Sequence, residues 1–407
     1  MTNTFKQYKL KDCCLSISDG DHLAPPKTVR GIPFITISNI TPSNQIDFSD
    51  TSFVSQEYYE RLDGIRKPKA NDILYSVVGS FGKSVFVKEN KPFVFQRHIA
   101  ILRANDKIVK PEYLYYVMRT QSFYMQADIL AVGAAQRTIS LSSLRNMNVS
   151  LPSLSTQHRI ASILSAYDSL IENNSARIRL LEKMAENLYK EWFVRFLFPG
   201  HEKVEMENGL PKGWSIIYIN DCCETIGGGT PSTSKSEYWN GNIKWVTPTD
   251  LTNKSSMPLL NIVGRITDEG LAHSSAKLLP PYSILMTSRA SIGYLGINLE
   301  SVCTNQGFIS IIPQTQNLLM YFLYMLKNRR NEIISNANGA TFLEISKGRF
   351  RKMKMVMPNK ELLDKFHVKA FNLFNMVLKL EKQNSLLAHQ RDLLLPRLMS
   401  GKLEDKP

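Results

Sequence analysis

The clearest pattern along the chain is a helical one that begins after Pro152. Apolar residues recur there in steps of four and three, and Asn174 fills the one remaining position. The full set is Ile160, Leu164, Tyr167, Ile171, Asn174, Ile178, Leu181, Ala185, Leu188 and Trp192. This a/d seam of about four and a half heptads predicts a long helix packed as a coiled coil. We expect Ser155 or Thr156 to cap its start and the Phe-Pro-Gly sequence at 198–200 to end it.

A second seam repeats the first 206 positions later. Each seam carries one asparagine, and a buried polar residue at such a position usually fixes the register of a coiled coil. A helix of about 37 residues is about 55 Å long, so we expect the two helices to pair with each other, antiparallel. The alternative is that each packs on another protein. The second seam comprises Phe366, Ala370, Leu373, Val377, Leu380, Asn384, Leu387 and Leu394, with Arg391 as the one misfit.

Shorter patterns predict a mixed domain ahead of each long helix. Apolar runs punctuated by Gly, Pro, Asn and Asp are typical of strands and turns. A helix is predicted in each domain, near residues 111–126 and 318–334. The predicted strands are residues 32–37, 72–78, 84–87 and 99–102 in the first domain and 243–246, 283–287 and 307–312 in the second.

The two mixed domains are copies of one unit. Tyr8, Asp12, Cys13 and Cys14 return as Tyr218, Asp221, Cys222 and Cys223, and Gly133 returns as Gly339. The spacing drifts from 210 to 206 residues, as small loop insertions produce in two copies of one fold. We therefore predict an α/β (α+β) chain in which two tandem homologous domains are separated by two long antiparallel coiled-coil helices, with pseudo-two-fold symmetry. The predicted boundaries are 1–153, 154–198, 199–357 and 358–407.

The composition indicates which class of molecule the chain binds. The chain has 407 residues, more than one hydrophobic core usually serves, and a formal net charge of +14. Such a surface attracts polyanions, and nucleic acid is the commonest of these. No stretch approaches the roughly 18 uncharged apolar residues of a membrane span, and the N-terminus lacks the pattern of a signal peptide. We expect a cytoplasmic protein with no membrane partner.

The cysteines and histidines do not suggest a metal site. Cys13-Cys14 and Cys222-Cys223 are adjacent pairs, Cys303 stands alone, and none shows a C-x-x-C spacing. We expect all five to be small buried residues of the repeated core. The seven histidines are scattered, so no metal ligands are predicted.

Several segments together resemble one protein family. They are Gly228-Gly229-Thr230-Pro231-Ser232, Glu237-Tyr238-Trp239, Leu151-Pro152-Ser153-Leu154 with Gln157 and Asp168, Gly209-Leu210-Pro211-Lys212-Gly213-Trp214, and the end from Arg391 to Gly401. Over nearly its whole length the chain resembles the specificity subunits of type I restriction-modification systems. The first copy departs from the family pattern, because residues 17–22 stand where a Gly-Gly-Thr-Pro segment would be.

This resemblance implies a DNA-reading chain without catalytic activity. Each domain would be a target-recognition domain that reads one half of a bipartite target. Residues 154–198 and 358–407 would be the conserved helical regions that set the spacer and dock the methyltransferases. The implied partners are double-stranded DNA, two modification (methyltransferase) subunits and, through them, restriction subunits. No cofactor is expected on this chain; S-adenosylmethionine, ATP and Mg would belong to partner subunits that supply adenine-N6 methyltransferase and ATP-dependent endonuclease activities.

Two alternatives to this interpretation can be weighed on the residues. The segment Leu279-Pro280-Pro281-Tyr282 is similar to the signature of amino-methyltransferases, but Leu279 cannot accept the hydrogen bonds that this chemistry needs. The glycines at 227–229 lack the motif of a nucleotide-binding loop. The remaining alternative is a coiled-coil scaffold or anti-restriction decoy that binds modification subunits without reading DNA.

The predicted DNA contacts lie in glycine-rich turns at matching positions of the two copies. Arginine suits guanine, glutamine suits adenine, and lysine more often contacts phosphate. The candidates are Lys83, Gln96, Arg97, Gln136 and Arg137 in the first domain and Ser288, Arg289, Gln306, Thr341, Lys347 and Arg349 in the second. We expect the basic run at 347–354 to lie partly on a solvated strand face and partly to position DNA phosphates. Partner docking would use helix positions beside the seams, namely Arg159, Asp168, Lys183, Tyr189, Trp192, Lys382 and Arg391.

Overall fold

The computed structural model describes residues 5–20, 25–41, 44–79, 81–133, 137–252, 256–339 and 342–402. Its contacts divide the chain into two compact units. Unit 1 comprises Met1–Ile171 and Leu386–Pro407, and unit 2 comprises Glu172–Ser385. Each unit therefore contains one mixed domain together with a segment of each long helix.

Unit 1 begins with a strand and ends its mixed domain with the strand that leads into the first long helix. The elements up to the first long helix are β1 (Lys6–Lys9), β2 (Cys14–Asp19), β3 (Ile32–Ile35), β4 (Ser52–Val54), α1 (Gln56–Arg61), β5 (Asp72–Ser76), β6 (Ser84–Phe86), β7 (Val94–Phe95), β8 (Ile99–Ala104), α2 (Pro111–Val117), α3 (Gln121–Leu130), α4 (Leu141–Arg145) and β9 (Asn148–Leu151). The first long helix, α5 (Leu154–Tyr189), belongs to unit 1 up to Ile171 and to unit 2 from Glu172.

The core of unit 1 has three layers around one central sheet. The strand order is β2-β8-β5-β6, with antiparallel neighbours. Side chains alternate across a strand, so Ile73 and Tyr75 face one core, which includes α2 and α3, while Leu74 faces another. That second core includes Ile35 from a smaller sheet of order β4-β3-β7, in which β3 and β7 are parallel. Burial on both faces explains the continuous apolar runs of these strands.

Unit 2 repeats this order of elements and adds three short strands and one short helix. After α5 and a π-helical turn at Lys190–Val194 come β10 (Met206–Glu207), β11 (Leu210–Pro211), β12 (Ser215–Tyr218), β13 (Cys223–Gly227), β14 (Trp239–Val246), α6 (Pro248–Thr252), β15 (Pro258–Leu259), β16 (Arg265–Ile266), α7 (Asp268–Ala272), β17 (Ile284–Thr287), β18 (Leu295–Asn298), β19 (Val302–Thr304), β20 (Phe308–Pro313), α8 (Leu318–Asn328), α9 (Arg330–Ser335), α10 (Lys347–Arg351), β21 (Lys354–Met357) and α11 (Lys360–Met399).

The strand order of unit 2 matches that of unit 1. The central sheet runs β13-β20-β17-β18, with β15 added at its edge, and the smaller sheet runs β16-β14-β19 with β14 and β19 parallel. Unusual backbone conformations repeat too. Asn71 and Tyr282 both have positive φ, 73° and 63°, at the turn that precedes the equivalent strands β5 and β17. The predicted duplication is therefore a property of the backbone as well as of the sequence.

The long helices pair within each unit. In unit 2, Asn174 on α5 donates a hydrogen bond to Asn384 on α11 (3.0 Å), and Ile178 and Leu181 pack with Val377 and Leu380. The contacting residue numbers rise along α5 as they fall along α11, so the two helices are antiparallel. In unit 1, Ile160 and Leu164 share a core with Leu395 and Leu398. The predicted α+β fold class with paired long helices is confirmed.

Some local predictions were wrong. Each predicted helix of the mixed domains is two helices, because Thr120 caps α3 after a break and Arg329 separates α8 from α9. The cap of α5 is Ser153, whose Oγ accepts from the backbone N–H of Thr156 (3.2 Å), and neither Ser155 nor Thr156 takes that role. The basic run at 347–354 begins as the helix α10, capped by Ser346, so it is only in part a strand.

Candidate nucleic-acid interface

One end of each central sheet gathers the loops that carry the predicted contacts. In unit 2, β13 ends and β20 begins side by side, because Gly227 pairs with Ile309, and Thr287 at the end of β17 pairs with Phe308. The loops after β13, after β17 and before β20 therefore converge. Unit 1 has the same arrangement at the ends of β2 and β5 and the start of β8. We call this end the loop edge of each unit.

Glycines allow the backbones to approach closely at the loop edge. A Cβ on Gly228 would lie 2.0 Å from the carbonyl oxygen of Asn305, and one on Gly20 would lie 2.3 Å from that of Phe95. Neither position has room for a side chain. The Gly-Gly-Thr-Pro segment of the second copy thus has a structural counterpart at Gly20, even though the two sequences differ.

Two further loops pair with each other beside the sheet in each unit. The first loop follows the central strand (residues 77–83 or 288–294), and the second loop precedes α4 or α10 (residues 131–140 or 336–346). In unit 1 Gly79 N–H donates to the carbonyl of Arg137, and in unit 2 Ala290 N–H donates to that of Leu343, each at 2.9 Å. Gly79 and Ala290 both have positive φ, 70° and 59°. One backbone framework therefore presents different side chains in the two units.

The structure brings most of the predicted contacts to the loop edges. Arg97, Arg289, Gln306, Lys347 and Arg349 are exposed, and Lys83, Gln96 and Arg137 are half-buried. The hydroxyl of Thr230 donates to the side-chain oxygen of Gln306. The Nζ of Lys347 lies 3.9 Å from the position that a Cβ on Gly227 would take, so it reaches the same edge.

The remaining three predicted contacts are either buried or outside the described residues. Ser288 is only 2% exposed, and its backbone bonds Gly307 and Ile345, so it shapes the turn. Gln136 and Thr341 lie outside the described residues.

Sequence reasoning missed two phenylalanines and two carboxylates at the loop edges. Arg137 lies over the ring of Phe81 and pairs with Asp128, and Arg289 lies over the ring of Phe342 beside Glu344. No sequence motif marks these residues, because their contacts join separate elements, and Asp128 lies on α3. The only available signal is their position in turns already chosen for their glycines.

The first helix junction, in unit 1, is an ionic cluster on Asp168. Arg391 donates to one carboxylate oxygen (2.5 Å), and Arg119 and Tyr116 donate to the other (3.1 and 2.7 Å). Burial lowers the pKa of Arg391, but Asp168 and Asp392 outweigh it and the pKa is raised. Burial and Asp168 both raise the pKa of Tyr116. Arg391 fails to fit the apolar seam because it serves this cluster.

The second helix junction, in unit 2, is aromatic. The ring of Phe366 lies 4.9 Å from that of Phe193 and 6.0 Å from that of Trp192, and Tyr189 lies 5.7 Å from Tyr321. Tyr189 and Trp192 are only 4% and 5% exposed. The predicted use of these two residues for partner docking is therefore wrong, because their rings belong to the core. Asp168 and Arg391, also predicted for docking, bond each other instead.

The cysteines behave as core residues. Cys13, Cys222, Cys223 and Cys303 are buried and Cys14 is half-buried, all as free thiols. Burial raises the pKa of Cys13 and Cys303 to about 11 and that of Cys222 to about 12. Within the described ranges, no group of three or more His, Cys, Asp or Glu side chains could hold a metal ion.

Comparison with known proteins decides the family. The family model for the type I restriction modification DNA specificity domain matches residues 3–183 and 211–386, one match on each copy. The chain belongs to this family.

Related specificity subunits span the chain. It is 25% identical over 472 aligned residues to the HindI type I restriction enzyme specificity subunit of Haemophilus influenzae, covering 98% of this chain and 99% of that one. It is 33% identical over 198 residues to the MjaIX specificity subunit of Methanocaldococcus jannaschii, covering 48% and 46%. Both family matches include the strands that form a loop edge.

The fold is also that of a solved specificity subunit. The crystal structure of the S subunit of a type I restriction-modification system from M. genitalium matches with a TM-score of 0.58 at 17% identity, covering 97% of this chain and 96% of that one. No helix in the described part of this family member is long and apolar enough to cross a membrane.

Proposed function

We propose that this chain is the DNA sequence-recognition subunit of a type I restriction-modification complex and that each recognition domain reads one half of a bipartite target. The observation that carries this proposal is the loop edge, built twice on one backbone framework with different side chains. Val78 in unit 1 pairs with Thr138 as Arg289 in unit 2 pairs with Glu344. A constant framework with variable side chains is what two readers of unlike sequences need.

Charge supports DNA as the partner of these edges. The chain has a net charge of +14, and Arg97, Arg289, Lys347 and Arg349 are exposed at or beside the loop edges. Lysine and arginine that contact phosphates supply affinity without sequence preference, whereas side chains that reach base edges supply specificity.

The long helices would set the spacer between the two half-sites. The 36 residues of α5 give a length of about 54 Å at 1.5 Å per residue, longer than one DNA turn of about 34 Å. The asparagine pair Asn174–Asn384 fixes the register of the two helices and hence the length of the spacer.

The same helices would dock two modification subunits, through which restriction subunits join. Exposed apolar side chains on both helices support this, because exposed apolar patches on a protein surface mark interaction sites. They are Leu170, Leu180 and Met184 on α5 and Val368, Leu386 and Leu393 on α11. In this proposal the chain is non-catalytic and cytoplasmic, and S-adenosylmethionine, ATP and Mg bind the partner subunits that methylate adenine N6 and cleave DNA.

A domain exchange tests the function. Residues 210–357 are replaced by the second recognition domain of another specificity subunit, and the methylated adenines produced by the assembled complex are mapped. We expect only one half of the target to change. A change in both halves would contradict the modular assignment, and methylation without sequence preference would identify a scaffold or decoy instead.

A matched insertion tests the spacer. One heptad is added to both long helices, after Asn174 and before Asn384, so that the antiparallel seam keeps its phase. The added length is about 10 Å, or about three base pairs of 3.4 Å. We expect the unread spacer to lengthen by that amount, with both half-sites unchanged. The same heptad inserted at the exposed β10–β11 turn is the control, and an unaltered spacer in the helix variant would rule out the ruler.

A further inference from the structure

The two units each place an arginine over a phenylalanine at the loop edge, but from opposite loops. In unit 1 the arginine is on the second loop and the ring on the first, with Arg137 5.6 Å from the centroid of Phe81. In unit 2 the arginine is on the first loop and the ring on the second, with Arg289 5.9 Å from the centroid of Phe342. The pairs cannot be inherited from one ancestral pair, since neither partner occupies an equivalent position.

The hydrogen-bonding state of the two arginines differs. Both η nitrogens of Arg137 are occupied, since Nη1 donates to the carboxylate of Asp128 and Nη2 to the backbone carbonyl of the same residue. Arg289 has only the carboxylate of Glu344, 4.0 Å from its Nε. Within the described residues its Nη1 and Nη2 have no hydrogen-bond partner. The Arg289 side chain is 49% exposed, so these two nitrogens are open to a ligand.

The residues around Arg289 limit the positions of its guanidinium but leave the two η nitrogens accessible. The ring of Phe342, itself 59% exposed, supports one face of the guanidinium, and Glu344 lies at the Nε end. The backbone pairing of Arg289 with Glu344 holds the two loops together. The Phe342 ring, 5.9 Å away, and the Glu344 carboxylate, 4.0 Å from Nε, limit the positions of the guanidinium, and its planar group can still donate two parallel hydrogen bonds.

From this geometry we propose that Arg289, supported by Phe342, reads a guanine in the half-site of the second recognition domain. Two parallel donors match the O6 and N7 acceptors of guanine in the major groove, and an arginine–guanine pair is the commonest specific contact of this kind. Arg137, at the matching edge of unit 1, closes its own two loops and does not read a base. The inference rests on the proposed function, because it assigns a residue to the reading of the second half-site.

The test begins with the unmodified protein in the complete complex. Duplexes carry the methylation-mapped target with each guanine of the second half-site replaced in turn by 7-deazaguanine, which lacks the N7 acceptor. We expect one such replacement to weaken binding clearly. A second half-site without guanine, or one insensitive to every replacement, would overturn the proposal while leaving the proposed function intact.

The variants locate the contact. Arg289→Lys keeps the charge but removes the two parallel N–H donors, so discrimination in favour of that guanine should fall about 10- to 100-fold. Replacing the same guanine by 7-deazaguanine should then have no further effect on binding by this variant. Phe342→Leu should reduce the discrimination about two- to five-fold. Arg61→Lys, at an exposed arginine that pairs with Glu57 within α1, is the control and should leave guanine discrimination in both half-sites unchanged. A loss spread evenly over all sequences would instead make Arg289 a phosphate contact and refute the assignment.

Failure of this inference is separable from failure of the proposed function. If the unmodified complex prefers the mapped target over a scrambled duplex, the chain reads DNA whatever Arg289 does. If it shows no preference, both ideas fall together.

Discussion

The two helix junctions differ in the chemistry that dominates each of them. In unit 1, α5 and α11 meet the mixed domain through Asp168, which holds Arg119 and Arg391 at 11% to 18% side-chain exposure. In unit 2, a cluster of aromatic rings around Phe366 dominates the junction, and the ion pairs of Glu186 with Lys190 and Lys327 are a smaller part of it. Duplication therefore conserved the backbone while the junction chemistry diverged.

This difference predicts different responses to solution conditions. Apolar burial is nearly insensitive to salt, whereas a partly exposed ion cluster is screened by it. The tryptophans provide a probe specific to one junction, because all four of them, Trp192, Trp214, Trp239 and Trp245, belong to unit 2. Fluorescence then follows unit 2, and hydrogen exchange of α2 follows unit 1.

The largest effect is expected from breaking the aromatic junction. Phe366 is fully buried, so Phe366→Ala removes its apolar contacts and leaves a cavity. We expect the free energy of unfolding of unit 2 to fall by about 3–5 kcal/mol, measured by urea titration with tryptophan fluorescence. Val368→Ala, on the same helix but 59% exposed, is the control and should change it by less than about 0.5 kcal/mol. Equal effects of the two variants would mean that the ring cluster does not support the junction.

A smaller loss is expected from breaking the ionic junction. Asp168→Asn keeps the shape of the side chain but removes the carboxylate that two largely buried arginines share, and leaves Arg391 with only the exposed Asp392. We expect unit 1 to lose about 2–3 kcal/mol, toward the lower end for a broken ion pair because the cluster is partly solvated. The measurement is native-state hydrogen exchange of α2, at low and high salt.

Asp392→Asn provides the matched control for the ionic junction. Asp392 also pairs with Arg391, at 2.8 Å, but its side chain is 59% exposed. The control should cost less than about 1 kcal/mol. Salt should weaken unit 1 of the unmodified protein and have little effect on the Asp168→Asn variant. If salt weakens both alike, the cluster does not hold the junction.

The two junctions show how far the sequence can predict this molecule. The seams, the duplication and the pairing of the helices follow from residue periodicity, which is why they were predictable. Arg391 appeared as a misfit because its partner Asp168 lies 223 positions away in sequence. The Arg289–Phe342 contact has the same origin, since it joins two loops that are distant in sequence. Periodicity reports which face is buried, but not which polar groups meet there.

The polar pair of the seam should show a non-additive effect. Asn174 and Asn384 bond each other, so Asn174→Leu leaves Asn384 without its main partner in a largely apolar seam. We expect a loss of about 1–2 kcal/mol for this single variant. Replacing both by leucine removes the unpaired group and should restore or exceed the original stability. Thermal unfolding followed by fluorescence measures the stability of the two single variants and the double variant. If the stability changes of the single variants add up to that of the double variant, the two side chains act independently.

The smallest expected effect is a pH dependence confined to the second junction. Burial raises the pKa of Glu186, but Lys190 and Lys327 outweigh it and hold the pKa at about 2, below its usual value. A carboxyl whose pKa is depressed on folding adds stability above its unfolded pKa and loses it as the pH falls through the folded pKa. The contribution of Glu186 should therefore be complete above about pH 5 and disappear toward pH 2. In Glu186→Gln the fluorescence transition of unit 2 should lose this part of its acid dependence. Glu202→Gln is the control, because the Glu202 side chain is 70% exposed. If Glu186→Gln and the unmodified chain show the same acid dependence, the ion pairs of Glu186 do not stabilise unit 2.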